Sequence, residues 1–332
     1  MVKSKKVDNL LLRAENVKIY FDQRGNGKNV VKAVDGISID IMRNEIFGIV
    51  GESGCGKSTF GRGLINLLPL TEGTVYIDDK DTTQLSKEEM KDMRKRMQII
   101  FQDPSACLNP RRKVKEILME PFKIHGIHDK DVINDRIIEL MELVGLAKYH
   151  LNRYPHELSG GQKQRIGIAR ALALEPEFIV CDEAVSALDV SVQAQVLNLL
   201  SDLKEKLGLT YFFISHNLNV VYQISDRVGV MYLGKMVEVA PYNSLYNKRY
   251  HPYTEALLSA IPQVDKDEQK QRIILKGEVP SPTNPPPGCS FHTRCPKKFS
   301  KCVTEIPLLL EVEKDHFVAC HLYDSFHEIH NR

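Results

Sequence analysis

The run Gly51-Glu-Ser-Gly-Cys-Gly56-Lys57-Ser58 sets three glycines, an ammonium and two hydroxyls within eight residues. Glycine lets the backbone turn tightly and approach a ligand closely. The residues Gly51, Ser53, Gly54, Cys55 and Gly56 can then aim their N–H groups at one anion. In such a loop the lysine, here Lys57, reaches the β- and γ-phosphates of a nucleotide, and the hydroxyl of Ser58 binds Mg²⁺. Thr59 follows in the first turn of an apolar-periodic helix, whose positive end faces the same charge. A second segment, Phe178-Ile-Val-Cys-Asp182-Glu183, ends an apolar run with two carboxylates. Asp182 is placed to hold the Mg²⁺ shell, and Glu183 is then free to orient and polarise an attacking water. A glycine turn and a pair of surface acids are the bland readings of each segment alone. Their presence together points to hydrolysis of a nucleoside triphosphate.

Buried strands must deliver these groups. Ile46–Val50 and Phe178–Cys181 are continuous apolar runs of the kind found in parallel strands covered on both faces, and Tyr211–Ile214 is a third. Between them lie helical patterns. One runs from Lys57 to about Leu68. Another covers most of Val114–Leu146. A stripe of Val192, Val196, Leu199, Leu203 and Leu207 closes at Gly208. Alternating buried strands and helices imply an open, mostly parallel α/β sheet. Residues 10–50 instead alternate apolar and polar positions (Val17, Ile19; Ile37, Ile39, Ile41), with a turn over Arg24–Asn29, and Val75–Ile77 is a further short strand.

Composition narrows the class. A chain of 332 residues fits one large domain and a smaller one, and a 42% hydrophobic content supplies a sizeable core. A net charge of only +2 gives no overall field for nucleic acid. The start, Met-Val-Lys-Ser-Lys-Lys, lacks the apolar segment of a secretory signal, and no apolar stretch is long enough to span a bilayer. The expectation is a cytosolic protein that needs another chain as its anchor if it works at a membrane. Five prolines within residues 280–287 read as a stiff linker, making the tail after Gly288 a separate small unit. Four of the seven cysteines lie in that tail.

Leu158-Ser159-Gly160-Gly161-Gln162 selects among nucleotide hydrolases. Ser159 and Gln162 have the spacing of a capping box. Two adjacent glycines suit capping poorly and make sense where the backbone must approach a ligand. The combination resembles the signature motif of ABC ATPases. That resemblance implies an ABC cassette of the P-loop class: a RecA-like parallel core, an antiparallel β subdomain and a helical subdomain over about 103–170, of which 103–150 receives the permeases. It implies that Ser159, Gly160, Gly161 and Gln162 touch the ATP of the opposite subunit. Gln102 matches the Q-loop glutamine that contacts Mg²⁺ with Ser58 and Asp182. Ser186-Ala187-Leu188-Asp189 resembles the D-loop at the dimer interface. His216, 33 residues beyond Glu183, resembles the switch histidine on the γ-phosphate. Tyr20 resembles the aromatic that stacks on adenine, with Phe21 adjacent and a core role the competing reading. Lys57, Glu183 and His216 form the catalytic set.

The resemblance becomes closer over nearly the whole chain. Met97–Pro104, Leu108-Asn-Pro-Arg111, Tyr154-Pro-His-Glu157, Ser186–Gln195, His251-Pro-Tyr-Thr254, Gly277–Pro282, Gly288–Pro296 and Val318–His321 are similar to the oligopeptide/dipeptide (Opp/Dpp) importer ATPases, F-type. Two positions depart from the family pattern: Ala184, where proline is usual, and Cys107, where serine is common. The division implied is a cassette over 8–250 and an extension over 251–332. The implied partners are a second, paralogous ATPase, two transmembrane permeases and an extracellular peptide-binding protein, with no nucleic acid, at the cytoplasmic face of the cell membrane. Nickel, a sugar or another solute stays open as cargo. A soluble ABC ATPase is a rival, though this chain has one cassette and no heptads. A metal- or redox-sensing regulator leaves the hydrolytic set unexplained. Cys289, Cys295, Cys302 and Cys320 supply the four thiolates a [4Fe–4S] cluster needs. Zinc and unligated thiols remain alternatives, although the paired C-x2-C knuckles of structural zinc are missing. The family resemblance points to iron–sulfur.

Overall fold

The computed structural model describes residues 9–22, 30–260 and 273–325; the turn over Arg24–Asn29 lies outside the described residues. The alternating segments form a long antiparallel pair, β1 (Leu10–Asp22) and β2 (Val30–Met42). Val17, Ile19, Ile37 and Ile41 point inward and are almost fully buried. After β3 (Ile46–Val50) and helix α1 (Lys57–Leu64), strand β4 (Glu72–Ile77) adds antiparallel to β1, and the short β5 (Lys80–Asp81) completes a four-stranded sheet.

The main sheet has eight strands. Helix α2 (Lys87–Arg96) leads into β6 (Met97–Ile100); β7 (Phe178–Asp182), β8 (Thr210–Ile214), β9 (Arg227–Tyr232) and β10 (Lys235–Pro241) follow along the chain. In the order β9-β3-β8-β7-β6 the strands are parallel, so the ends of β3 and β7 that carry the phosphate loop and the two acids open on the same side. Strand pleating divides the side chains between two cores. Phe47, Ile49, Val180 and Phe212 face α1 and the antiparallel sheet, whereas Ile46, Val50, Ile179 and Tyr211 face the other helices.

Helix α1 is one turn shorter than its apolar pattern. Asn66 adopts φ 52°, and N–H bonds from Leu67 to Arg62 O and from Asn66 to Gly63 O close a Schellman turn. The helical region contains α3 (Pro104–Cys107), α4 (Val114–Ile124), α5 (Lys130–Leu143) and α6 (Gly160–Leu172). The single pattern over Val114–Leu146 is therefore two helices, because Gly126 turns the chain at φ 73° and Asp129 caps a new start. Helix α7 (Val190–Leu207) ends at Gly208 in the left-handed region, as its stripe requires. Three short helices follow: α8 (Leu218–Ile224), α9 (Tyr242–Asn247) and α10 (Pro252–Ser259).

The tail is not a detached unit. After α11 (Ser300–Thr304), a hairpin of β11 (Leu310–Glu313) and β12 (His316–Val318) joins the main sheet through β10. The junction is anchored by the Glu238 carboxylate, which is fully buried. It accepts the N–H groups of Tyr250 and His251 at 2.9 and 3.0 Å and lies 2.7 Å from His316 Nε2. A buried carboxylate with three such partners is satisfied, and removing one partner leaves an uncompensated charge. Phe291 meets Tyr232 edge to face at 5.2 Å. Nor does the proline run hold the tail away from the cassette: Pro282 O accepts the Lys32 N–H at 3.1 Å.

Candidate functional site

The glycine loop wraps around its own lysine. Lys57 is 5% exposed. Its ammonium donates to the carbonyls of Gly51 and Glu52 at 2.9 and 3.0 Å and lies 3.7 Å from Cys55 Sγ. The loop is thus folded as a ring around a positive charge. Gly56 begins α1 at φ 104°, and a Cβ there would come within 2.0 Å of Ala33 O. No larger residue fits that position without moving β2. Ser53 and Gly54 are exposed on the outer face of the ring, and Thr59 lies in the first turn of α1. Cys55 is buried, and burial pushes its thiol up, so it acts as packing.

Ser58 and Asp182 meet across the top of the sheet. Ser58 Oγ donates to Asp182 Oδ1 at 2.6 Å, and Arg62 Nη2 donates to Oδ2 at 2.9 Å. Asp182 is 2% exposed, so its charge requires a cation. Two oxygen donors converge beside a guanidinium; this donor set fits Mg²⁺. Arg62 was not singled out by the motifs. Its signal was available, because it lies four residues after Ser58 on the same face of α1.

Glu183 is the centre of a second cluster. The Gln102 amide donates to Glu183 Oε2 at 2.9 Å, and His216 Nδ1 lies 3.3 Å from the same oxygen. Gln102 also lies 3.4 Å from Ser186 Oγ. Glu183 has φ 50°, an unfavourable backbone for a glutamate. Its N–H donates to Ile214 O, which fixes the turn that aims the carboxylate away from β7. Two residues far apart in sequence therefore converge on one oxygen of Glu183 at the end of the parallel strands, where such sheets bind ligands.

Tyr20 is half-buried and outside the core, while Phe21 is exposed. The Tyr20 hydroxyl donates to Asp35 at 2.5 Å, and Lys32 Nζ lies 5.9 Å from the ring centroid. Burial, then the Asp35 bond, raises the phenol above its usual range. The ring is held in place through its hydroxyl.

Residues Ser159–Gln162 open α6 through a reciprocal capping box. The Ser159 N–H donates to Gln162 Oε1 at 2.9 Å, and the Gln162 N–H to Ser159 Oγ at 3.3 Å. Gln162 also meets His150. Gly161 has an internal reason to be glycine, since its Cβ would lie 2.5 Å from Val192 Cγ1; at Gly160 the nearest atom is Leu188 Cδ2 at 3.7 Å. The turn Ser186–Asp189 leads from β7 into α7. Ser186 bonds back to Glu183 O, Ala187 and Leu188 complete the turn, and Asp189 caps α7 by accepting the Val192 N–H. The pattern assigned Asp189 to an interface; the cap is a local role it did not reveal.

Residues 34–186 match the ABC transporter family model, and residues 237–302 match the oligopeptide/dipeptide transporter C-terminal region. The oligopeptide transport ATP-binding protein AppF of Bacillus subtilis is 53% identical over 94% of this chain and 97% of its own. The corresponding OppF of Salmonella typhimurium is 48% identical over 94% and 96%. Among solved structures, the ATP-binding cassette MJ0796, a dimer in a post-hydrolysis state with ADP and phosphate, superposes at a TM-score of 0.63. It is 30% identical and covers 70% of this chain and 99% of its own. This chain belongs to the ABC transporter ATP-binding proteins, an ATPase family, in the group that carries the oligopeptide/dipeptide transporter C-terminal region.

Proposed function

We propose that the chain powers import of oligopeptides or dipeptides by binding and hydrolysing ATP on the cytoplasmic side of a membrane transporter. The observation that carries the hydrolytic role is the convergence of Gln102 and His216 on one oxygen of Glu183. Lys57 and the loop N–H groups hold the phosphates; Ser58, Asp182 and Gln102 would hold Mg²⁺, which would supply positive charge to offset that of the phosphates. Glu183 orients the attacking water and draws off its proton, His216 contacts the γ-phosphate, and Tyr20 carries the adenine.

Ser159–Gln162 bond to one another and to His150, with no hydrogen bond to the phosphate loop among the described residues. This supports action on the nucleotide of a second, paralogous ATPase, so that two chains complete each site, with the turn Ser186–Asp189 between them. No helix among the described residues is long and apolar enough to cross a membrane. The path for the peptide then belongs to two permeases, docked on the helical region after Gln102, and an extracellular binding protein delivers the cargo. The names of the relatives favour peptide over nickel or sugar. We divide the chain into a cassette, 8–250, and an extension, 251–332. The test is ATPase activity of the assembled transporter in vesicles: peptide-loaded binding protein should stimulate it. Stimulation only by a sugar- or nickel-loaded protein would replace the cargo.

The four tail cysteines are free thiols. Gly288, at φ 68°, brings the chain against Cys302 O, where a Cβ would lie only 2.6 Å away, and the Cys289 N–H donates to that carbonyl at 2.9 Å. Cys320 feels the charge of the other three. Among the described residues no group of His, Cys, Asp or Glu side chains is gathered tightly enough for a single metal ion. That disfavours zinc, which draws its thiolates together. A [4Fe–4S] cluster holds its four thiolates apart around its own body, and the four cysteines are the ligand number it needs. The cluster would act as a staple for a tail with little core of its own.

A further inference from the structure

The second residue of the phosphate loop is held from outside the cassette. Arg294, in the tail beside Cys295, forms a bidentate pair with Glu52: Nη1 to Oε2 at 2.7 Å and Nη2 to Oε1 at 3.1 Å. The partners are 242 residues apart in sequence. The Arg294 side chain is 8% exposed and that of Glu52 27%, so the pair is largely shielded from water. Its guanidinium lies 6.0 Å above the Tyr232 ring, and Tyr232 packs in turn on Phe291. The Glu52 N–H donates to the hydroxyl of Tyr253, a residue with no exposed surface, at 2.9 Å. The Glu52 carbonyl accepts from Lys57. One residue thus carries three restraints, two of them from residues 253 and 294 in the C-terminal extension.

We infer that Arg294 is a positioning residue for the phosphate loop, so that the tail sets the affinity of the loop for nucleotide. The inference rests on the reading that this loop binds ATP. Two physical effects act in the same direction. A bidentate Arg–carboxylate pair fixes geometry as well as charge, and so holds the loop in its ring. It also neutralises a carboxylate that stands next to the phosphate site and would otherwise repel a polyanion. The tail reaches the adenine side as well, where Pro282 O holds the N–H of Lys32, whose side chain lies over Tyr20. Nothing in phosphate chemistry needs a tail, yet the tail is built against both ends of the nucleotide site.

The test is equilibrium binding of ATP to the full-length chain by titration calorimetry, with thermal melting to confirm folding. Arg294→Gln should weaken ATP binding about tenfold, near the low end of couplings between sites. Arg294→Lys keeps the charge without the fork and should fall between Arg294→Gln and wild type. The double variant Glu52→Gln, Arg294→Gln removes the stranded carboxylate and should recover the part of the loss that comes from its charge, but not the part that comes from the fork. A merely structural arginine predicts the opposite, because removing a second partner restores no packing. Wild-type affinity in Arg294→Gln would overturn the inference; so would a lysine variant no tighter than the glutamine one, or a double variant no tighter than the single. If Lys57→Ala also left affinity unchanged, the nucleotide reading of the loop would fail, and not this inference alone.

Discussion

Arg62→Met tests whether Arg62 stands in for the metal. Asp182 is 3% exposed at its side chain and has two partners, Ser58 and Arg62; Arg62 is 44% exposed. Methionine keeps the apolar stem and removes the charge. Stripping one partner from a fully buried pair costs about 3–5 kcal/mol. Water reaches the Arg62 side, so the expected loss, about 1–2 kcal/mol, lies between that range and the roughly 0.2–1 kcal/mol of exposed pairs. For a chain of 332 residues that is a fall in Tm of about 1.5–3 °C. The assay is calorimetric melting of the chain in EDTA, and again with Mg²⁺ and a non-hydrolysable ATP analogue. The fall should appear in EDTA and largely vanish with Mg²⁺ and the analogue, because the metal then supplies the positive charge that Asp182 lacks. An equal fall under both conditions would refute the reasoning, since Arg62 would then be a scaffold residue independent of the metal.

Two further outcomes follow from the site. Lys57→Ala should weaken equilibrium ATP binding, because Lys57 charges the ring in the ground state; affinity equal to wild type would contradict that role. Protein purified without oxygen should be brown and carry about four irons per chain; a colourless anaerobic preparation with zinc and no iron would remove the cluster.

The local chemistry was legible because each motif has a spacing that only one backbone satisfies. Gly51–Ser58 forms a ring, and the run Phe178–Asp182 is a fully buried strand that ends at its acids. The convergence of Gln102 and His216 on Glu183 was not readable from spacing, since parallel pairing of β3, β6, β7 and β8 brings them together. Pattern reading placed them only through resemblance to a family. The tail was misread for a physical reason. Proline runs usually mark spacers, but here the hairpin β11–β12 finds an open edge at β10, and a buried Glu238–His316 pair holds it there. Neither residue belongs to a periodic pattern that sequence can reveal. Likewise Glu52 occupies a variable position of the loop motif, so its link to Arg294 emerges only from tertiary structure. The end of α1 was overestimated because Leu67 and Leu68 continue the apolar pattern beyond Asn66, which turns the chain.

The central claim is that Glu183 drives hydrolysis in a site closed by a second chain. Glu183→Gln keeps the shape and the contacts while removing the base. In the assembled transporter, steady-state ATP turnover should fall about 10²–10⁴-fold, the usual loss on removing a general base, while ATP stays bound and the two ATPase subunits remain together. Turnover unchanged from wild type, with the partner ATPase's own carboxylate disabled, would contradict the account.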